Sequence, residues 1–170
     1  MSLSRNLGRL YDEHAQAFYG FALNLLRSEA DARDVLQEVF LRVARQPELL
    51  DTVRDERGFL LRLTHNKAID LMRRRETRER NYDEFAKGEE GVFARGADAD
   101  ETAFREQLSK ALGELPPEQR AVAHLKLWEG LTFEGIGEAL EIPANTAASR
   151  YRYALDKLRE RLRPIYDEIK

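Results

Sequence analysis

Residues Leu131 to Leu162 read LTFEGIGEALEIPANTAASRYRYALDKLRERL, and the fold turns on this stretch. Thr132 offers a hydroxyl to cap a helix in which Phe133, Ile136 and Leu140 fall at helical spacing. In Glu141-Ile142-Pro143 the proline lacks a backbone donor and cannot continue that helix. A second helix starts near Ala144 with one apolar stripe, Ala147, Tyr151, Ala154 and Leu158, flanked by Leu155 and Leu162. The opposite face carries Asn145, Ser149, Arg152 and Tyr153, whose amide, hydroxyl, guanidinium and phenol groups suit base edges in a major groove. Arg150, Lys157, Arg159, Arg161 and Arg163 surround it with cations suited to phosphates. A short helix, a tight turn and a longer polar-faced helix fit the DNA-binding helix-turn-helix. An ordinary helical hairpin with a solvated basic face has the same pattern, so the stretch alone leaves both readings open.

Composition narrows the class. Of the 170 residues 42% are hydrophobic, enough for real cores, and 35% are charged, which marks a soluble surface. No apolar run is long enough to span a bilayer, and the N-terminus lacks a signal-peptide pattern, so a cytoplasmic protein without membrane insertion is expected. Cysteine is absent, which excludes disulfides and thiolate metal sites. A net charge of −3 argues against a nucleic-acid binder only until its distribution is read. Arg62 to Arg80 holds seven basic residues against three acidic ones; Asn81 to Ala103 holds seven acidic against two basic. The chain is segmented by charge, with an acidic strip between two basic patches.

Wherever the chain is periodic the period is helical, which predicts an all-α fold. A first helix runs from Ser4 to about Arg27, with Leu7, Leu10, Tyr11, Phe18, Phe21, Ala22 and Leu25 on its buried side. Ser28-Glu-Ala-Asp31 resembles a capping box and starts a second helix to Arg45, buried through Ala32, Leu36, Val39 and Val43. After a loop from Pro47 to Asp55, a long helix covers about Glu56 to Arg78. One side of it is apolar. The other gathers Phe59, Arg62, Asn66, Asp70 and Arg73, flanked by Lys67 and Arg74, an aromatic among cations as on single-strand platforms. An inward-turned Phe59 with solvated arginines is the plainer reading of that face alone.

Periodicity fades from Glu79 to Ala103 and returns with Phe104, Leu108, Ala111, Leu112 and Leu115. Pro117 opens a further helix carrying Ala121, Val122, Leu125 and Trp128 and stopped by Gly130; Pro164 is expected to end the last helix. The predicted architecture is two small helical domains, 4–80 and 103–164, joined by a flexible acidic linker over 81–102, with the helix-turn-helix in the second.

Both halves together resemble one family, over nearly the whole chain: bacterial RNA polymerase sigma factors of the two-domain extracytoplasmic-function (ECF) class. Asp31–Val43, DARDVLQEVFLRV, is similar to the family's core-polymerase-binding helix; Glu56–Arg75, ERGFLLRLTHNKAIDLMRRR, to the helix that melts and reads the −10 element. Leu115–Leu162 is similar to the domain that reads the −35 element. The resemblance implies a transcription initiation factor that binds core RNA polymerase and promoter DNA, as duplex at −35 and as single strand at −10. It implies docking on polymerase through Asp31, Asp34, Gln37, Glu38 and Arg42, with Phe40 and Leu41 as desolvated contacts. Phe59, Arg62, Asn66, Lys67, Asp70, Arg73 and Arg74 would hold the non-template strand, and the Pro47–Asp55 loop would capture a flipped base. Asn145, Ser149, Arg152 and Tyr153 would read the −35 duplex, with Thr146, Arg150, Lys157 and Arg159 on phosphates. The linker would thread the polymerase's RNA exit region. Many members of the class are held by an anti-sigma protein, which the resemblance adds to the set of partners.

The chain also departs from the family pattern. Arg33 stands where an acidic residue is frequent, Phe59 where tryptophan is common and Glu141 where glycine is common in the turn. Asn145 and Ala148 replace a frequent glycine and lysine, so the −35 sequence is not read across from the family.

Two rivals fare worse. A stand-alone helix-turn-helix regulator leaves the Phe59–Arg73 face without a task. An enzyme lacks its groups: His14, His65 and His124 are scattered without metal-ligand spacing, and no glycine-rich phosphate loop precedes a helix. No cofactor or metal is expected, and the histidines read as packing or surface residues.

Overall fold

The computed structural model describes residues 3–81 and 99–169, and all regular structure among them is helical. Helices α1 (Leu3–Leu26), α2 (Glu29–Arg45) and α3 (Glu56–Asn81) form the N-terminal half, with a 3-10 turn at Pro47–Leu50. The C-terminal half holds α4 (Ala99–Glu114), α5 (Pro117–Leu127), α6 (Phe133–Leu140) and α7 (Ala144–Ile169). α3 and α4 reach into both edges of the expected linker, at Asn81 and at Ala99 to Thr102. The rest of it, residues 82–98, lies outside the described residues.

Local chemistry sets most boundaries. α1 stops where Arg27 turns left-handed at φ 60°, its N–H closing on the Leu23 carbonyl at 2.8 Å. Ser28 then caps α2, its hydroxyl accepting from the Asp31 N–H at 3.3 Å. The Asp31 carboxylate pairs with Arg75 of α3, which also donates to the Leu26 carbonyl at 3.0 Å. Pro117 opens α5, and Gly130 takes φ +66° after it. The Thr132 hydroxyl caps α6 by accepting from the Gly135 N–H at 3.0 Å. Glu141 leaves α6 left-handed at φ 59°, a conformation that ordinarily favours glycine. The turn is tight enough that a Cβ on Gly137 would stand 2.6 Å from the Ile142 carbonyl oxygen.

Pro164 does not end α7, which continues to Ile169. The proline removes one donor, towards the Glu160 carbonyl; both residues are exposed, so that carbonyl can be solvated instead. Tyr11, expected on the buried side of the first helix, faces outward at 50% exposed, and Phe104 and Trp128 are close to 40%.

The two halves share their main core. Leu10, Phe18, Phe21, Leu25, Val35, Val39, Leu60 and Leu61 pack in one cluster with Ala121, Val122, Leu125, Ile136 and Ala147. A second, smaller cluster joins Leu112 and Leu115 to Ala123, Ala154 and Leu158. α1 packs against α5 and α3 against α6, so the N-terminal and C-terminal halves close on each other.

Candidate nucleic-acid interface

On α3, Asn66, Asp70, Arg73 and Arg74 are exposed, and Arg74 lies 3.8 Å from the Asp70 carboxylate. Lys67 is half-buried with its Nζ 2.5 Å from Glu38 of α2. Arg42, His65, Asn66, Lys67, Asp70 and Arg73 line an open hollow of about 440 Å³. Three cations around one carboxylate make it suited to an anionic chain. Burial lowers the His65 imidazole from its ordinary range, so it adds no charge to this face at neutral pH.

Two expected members of the face are engaged elsewhere. Phe59 packs against the main core and is not an open stacking surface. Arg62 reaches across to α6: it donates to the Glu138 carbonyl at 2.5 Å and lies 3.5 Å from the Glu141 carboxylate. Arg57, a residue the sequence did not single out, donates to both the backbone carbonyl and the carboxylate of Glu129, at 2.9 and 2.8 Å.

On α2, Asp34, Gln37, Glu38, Leu41 and Arg42 are exposed and Asp31 is held by Arg75. Phe40 is the correction: it is 7% exposed, inside the core, because α2 turns that position towards α1. Tyr11 of α1 lies edge-on over it at 5.1 Å and takes the outer position. Leu41, 46% exposed, borders a shallow depression lined by Glu38, Arg42, Arg45 and Gln46.

On α7, Asn145, Arg152, Tyr153 and Arg159 are exposed, while Thr146, Ser149, Arg150 and Lys157 are half-buried along the same helix. Ala147, Ala154 and Leu158 are buried behind them, as the stripe predicts. Tyr153, 57% exposed, has the Arg152 guanidinium 5.6 Å from its ring centre. α7 is therefore anchored on one side and open on the other.

A polar seam joins the two halves. Asn24 and His124, both buried, meet at 3.0 Å between Asn24 Nδ2 and His124 Nδ1. Arg120, also buried, donates to the Leu25 carbonyl at the end of α1 and to the Leu112 and Leu115 carbonyls at the end of α4. Arg27 donates to the backbone carbonyl and the hydroxyl of Ser109, each at 2.7 Å. One guanidinium thus serves carbonyls at two helix ends, where intrahelical donors run out. Burial, with Arg27 nearby, pushes the Arg120 guanidinium down to about 10, and burial pushes His124 down to about 4. The signal for this seam was visible as Asn24 inside the apolar run Phe21-Ala-Leu-Asn-Leu-Leu26, a polar side chain that needs a buried partner.

Both halves of the chain match known families. Sigma-70 region 2 matches residues 10–78 and Sigma-70, region 4 matches residues 111–160. The ECF RNA polymerase sigma factor SigL of Mycobacterium tuberculosis (strain ATCC 25618 / H37Rv) is 34% identical over 159 residues, 92% of this chain and 88% of the relative. The chain belongs to the ECF sigma factors. A further relative, RNA polymerase sigma factor CarQ of Myxococcus xanthus, is 30% identical, over 94% of this chain and 91% of its own length. The fold matches the sigma factor RpoE of Bartonella quintana, solved with the anti-sigma factor NepR, with a TM-score of 0.78 at 19% identity over 94% of this chain and 98% of that one. It also matches CnrH, solved with the cytosolic domain of CnrY, with a TM-score of 0.70 at 23% identity over 95% and 90%.

As an ECF sigma factor the chain is a transcription initiation factor that binds core RNA polymerase and promoter DNA. Region 2 contains the α2 and α3 surfaces, and region 4 contains the helix-turn-helix of α6 and α7. No described helix is long and apolar enough to cross a membrane, and no group of three metal-ligating side chains occurs among the described residues.

Proposed function

We propose that three helix faces divide the work of promoter recognition. The α2 surface, Asp34, Gln37, Glu38, Leu41 and Arg42, docks on core polymerase, its charges steering the encounter and Leu41 supplying the desolvated contact. The α3 surface, Asn66, Lys67, Asp70, Arg73 and Arg74 with Arg62 once released, holds the opened −10 strand. The α7 surface reads the −35 duplex through Asn145, Ser149, Arg152 and Tyr153, with Thr146, Arg150, Lys157 and Arg159 on phosphates. The observation that supports this division is that one short chain exposes an acidic-polar face, a cationic face and a helix-turn-helix reading face on three different helices. A stand-alone regulator needs only the last.

The polymerase supplies the catalysis and this chain supplies specificity and strand capture, in the cytoplasm where the polymerase works. RpoE and CnrH were each solved with a bound protein, and a protein partner of the anti-sigma kind is proposed here as well.

The test is co-elution of the purified chain with core RNA polymerase from the same source, without DNA. Wild-type chain is expected to co-elute, and the folded Asp34→Arg, Glu38→Arg double variant is expected to lose binding. Retained binding by that variant would remove α2 from the docking surface; a well-folded wild-type chain that fails to bind would favour the stand-alone regulator.

A further inference from the structure

Arg75 sits on the side of α3 opposite the cationic face. Asn66, Asp70, Arg73 and Thr77 follow one another at helical spacing along the exposed side, with Arg74 and Arg78 beside them. Arg75 falls on the far side of the helix from that stripe, and between Arg73 and Arg78 it is the one residue that is not exposed. Leu71 and Met72 are the last apolar side chains of α3 to touch the main core. Beyond them, among the described residues, only Arg75 bonds these turns to another helix.

Its guanidinium grips the corner between α1 and α2. It donates to the Leu26 carbonyl in the last turn of α1, at 3.0 Å, and pairs with the Asp31 carboxylate in the first turn of α2. Each charge lies where a helix end favours it: a cation at the carbonyls that end α1, an anion at the N–H groups that start α2. Both side chains of this pair are half-buried, so water competes for it less than for the exposed pair of Arg74 and Asp70. The pair is the fixed point about which the end of α3 is oriented. What it orients is cationic: Arg73 and Arg78 are exposed and have no acid within ion-pair distance among the described residues.

We propose that Arg75 is a positioning residue for promoter DNA: by holding Leu26 and Asp31 it aims the last turns of α3, so that Arg78 takes a backbone phosphate of the duplex upstream of the opened strand. The inference rests on the reading of α3 as the strand-binding helix. The chain leads from this end of α3 to region 4, which reads the −35 duplex, so the duplex between the two elements lies on this side. Asp31 is then a link between α2 and the DNA helix. Its carboxylate strengthens DNA binding, although its charge taken alone repels phosphate.

The test uses core polymerase reconstituted with the full chain and a fork probe, a single-stranded −10 segment joined to upstream duplex, bound over a series of salt concentrations. Co-elution with polymerase shows that each variant is folded. Arg78→Gln is expected to weaken binding and to make the salt dependence shallower by about one phosphate contact. Asp31→Asn is expected to weaken binding about fivefold with the same change of slope, whereas charge alone would tighten it. Arg75→Lys keeps the charge but cannot span a carbonyl and a carboxylate at once, and it is expected to match Asp31→Asn; it carries the test if the asparagine variant fails to fold. Unchanged or tighter binding by Asp31→Asn would overturn the positioning role. A loss by Arg78→Gln of equal size on a −10 oligonucleotide without duplex would overturn the proposal by making Arg78 a strand contact. Arg73→Ala separates this proposal from the reading beneath it. If it leaves strand affinity unchanged, α3 is not the strand-binding helix; if it lowers strand affinity while Asp31→Asn and Arg78→Gln change nothing on the fork, only the present proposal falls.

Discussion

Asn24 in α1 and His124 in α5, a hundred positions apart in sequence, meet at 3.0 Å inside the interface that joins region 2 to region 4. Phe21 and Trp128 flank the imidazole, with ring centres 5.3 Å away on each side. Burial here outweighs the nearby Glu129 carboxylate, 3.9 Å from His124 Nε2, and lowers the imidazole to about 4.

That depression has a sign. The unfolded or opened chain binds a proton near 6.5, and the closed chain resists it until about 4. Closure is therefore at full strength above about pH 6.5 and weakens as pH falls towards 4, by up to about 3 kcal/mol. Urea midpoints measured between pH 7.5 and 5 are expected to fall for the wild type. His124→Gln, which keeps an amide for Asn24, is expected to fall less; equal slopes would show that His124 does not carry the dependence.

Arg120→Met keeps the apolar stem and removes the guanidinium donors from the buried Leu25, Leu112 and Leu115 carbonyls, of which Leu112 keeps the Leu115 N–H at 3.1 Å. Leaving the Leu25 and Leu115 carbonyls without that donor is expected to cost about 3 kcal/mol or more, by denaturant titration. Arg120→Lys is expected to recover only part of this, because an ammonium cannot span carbonyls that a planar fork reaches. A variant within 0.5 kcal/mol of wild type would show that the carbonyls find other partners.

Gly137→Ala brings a Cβ to 2.6 Å from the Ile142 carbonyl oxygen, a backbone atom of the helix-turn-helix turn. Overpacking of about 1–3 kcal/mol opposes a helix-propensity gain of about 1 kcal/mol, so net destabilisation is expected. Gly135→Ala is the control: its Cβ would meet the Thr132 side chain at 3.3 Å, and thermal melts are expected to show little change.

Arg152→Ala on the exposed face of α7 is expected to lose about 1–3 kcal/mol of discrimination at its base pair while the fold is kept. Binding of polymerase reconstituted with this variant to single-substitution −35 duplexes measures it. A uniform loss across all sequences would instead make Arg152 a phosphate contact.

Leu41→Glu on α2 is expected to weaken co-elution with core polymerase without lowering the melting temperature, since Leu41 is exposed. Phe40→Ala is expected to do the reverse first, costing about 3–5 kcal/mol of stability because its ring is buried. A shared loss of binding with no loss of stability would put Phe40 back on the surface.

Helices and their ends were legible in the sequence because their causes are local. The Ser28 and Thr132 caps, the Pro117 start and the Ala147–Leu158 stripe depend on residues within a turn or two of each other. The exposure of Asn145, Arg152 and Tyr153 on α7 follows from the same periodicity. So does family membership, carried by motifs in order along the chain.

Only the tertiary structure decided that region 4 closes on region 2 and takes Arg57 and Arg62 with it. It also decided that Phe40 and Phe59 turn inward and that Tyr11 turns out. Helical period gives one face to bury, but not the neighbour it is buried against. The partners that Asn24, Arg62 and Arg120 find in the other half lie 76 to 100 positions away in the chain, and pairing at that distance is set by packing of whole helices. Charge alone misled for the same reason: an arginine on a cationic face is a DNA contact or a bond to the protein's own glutamate according to what folds over it.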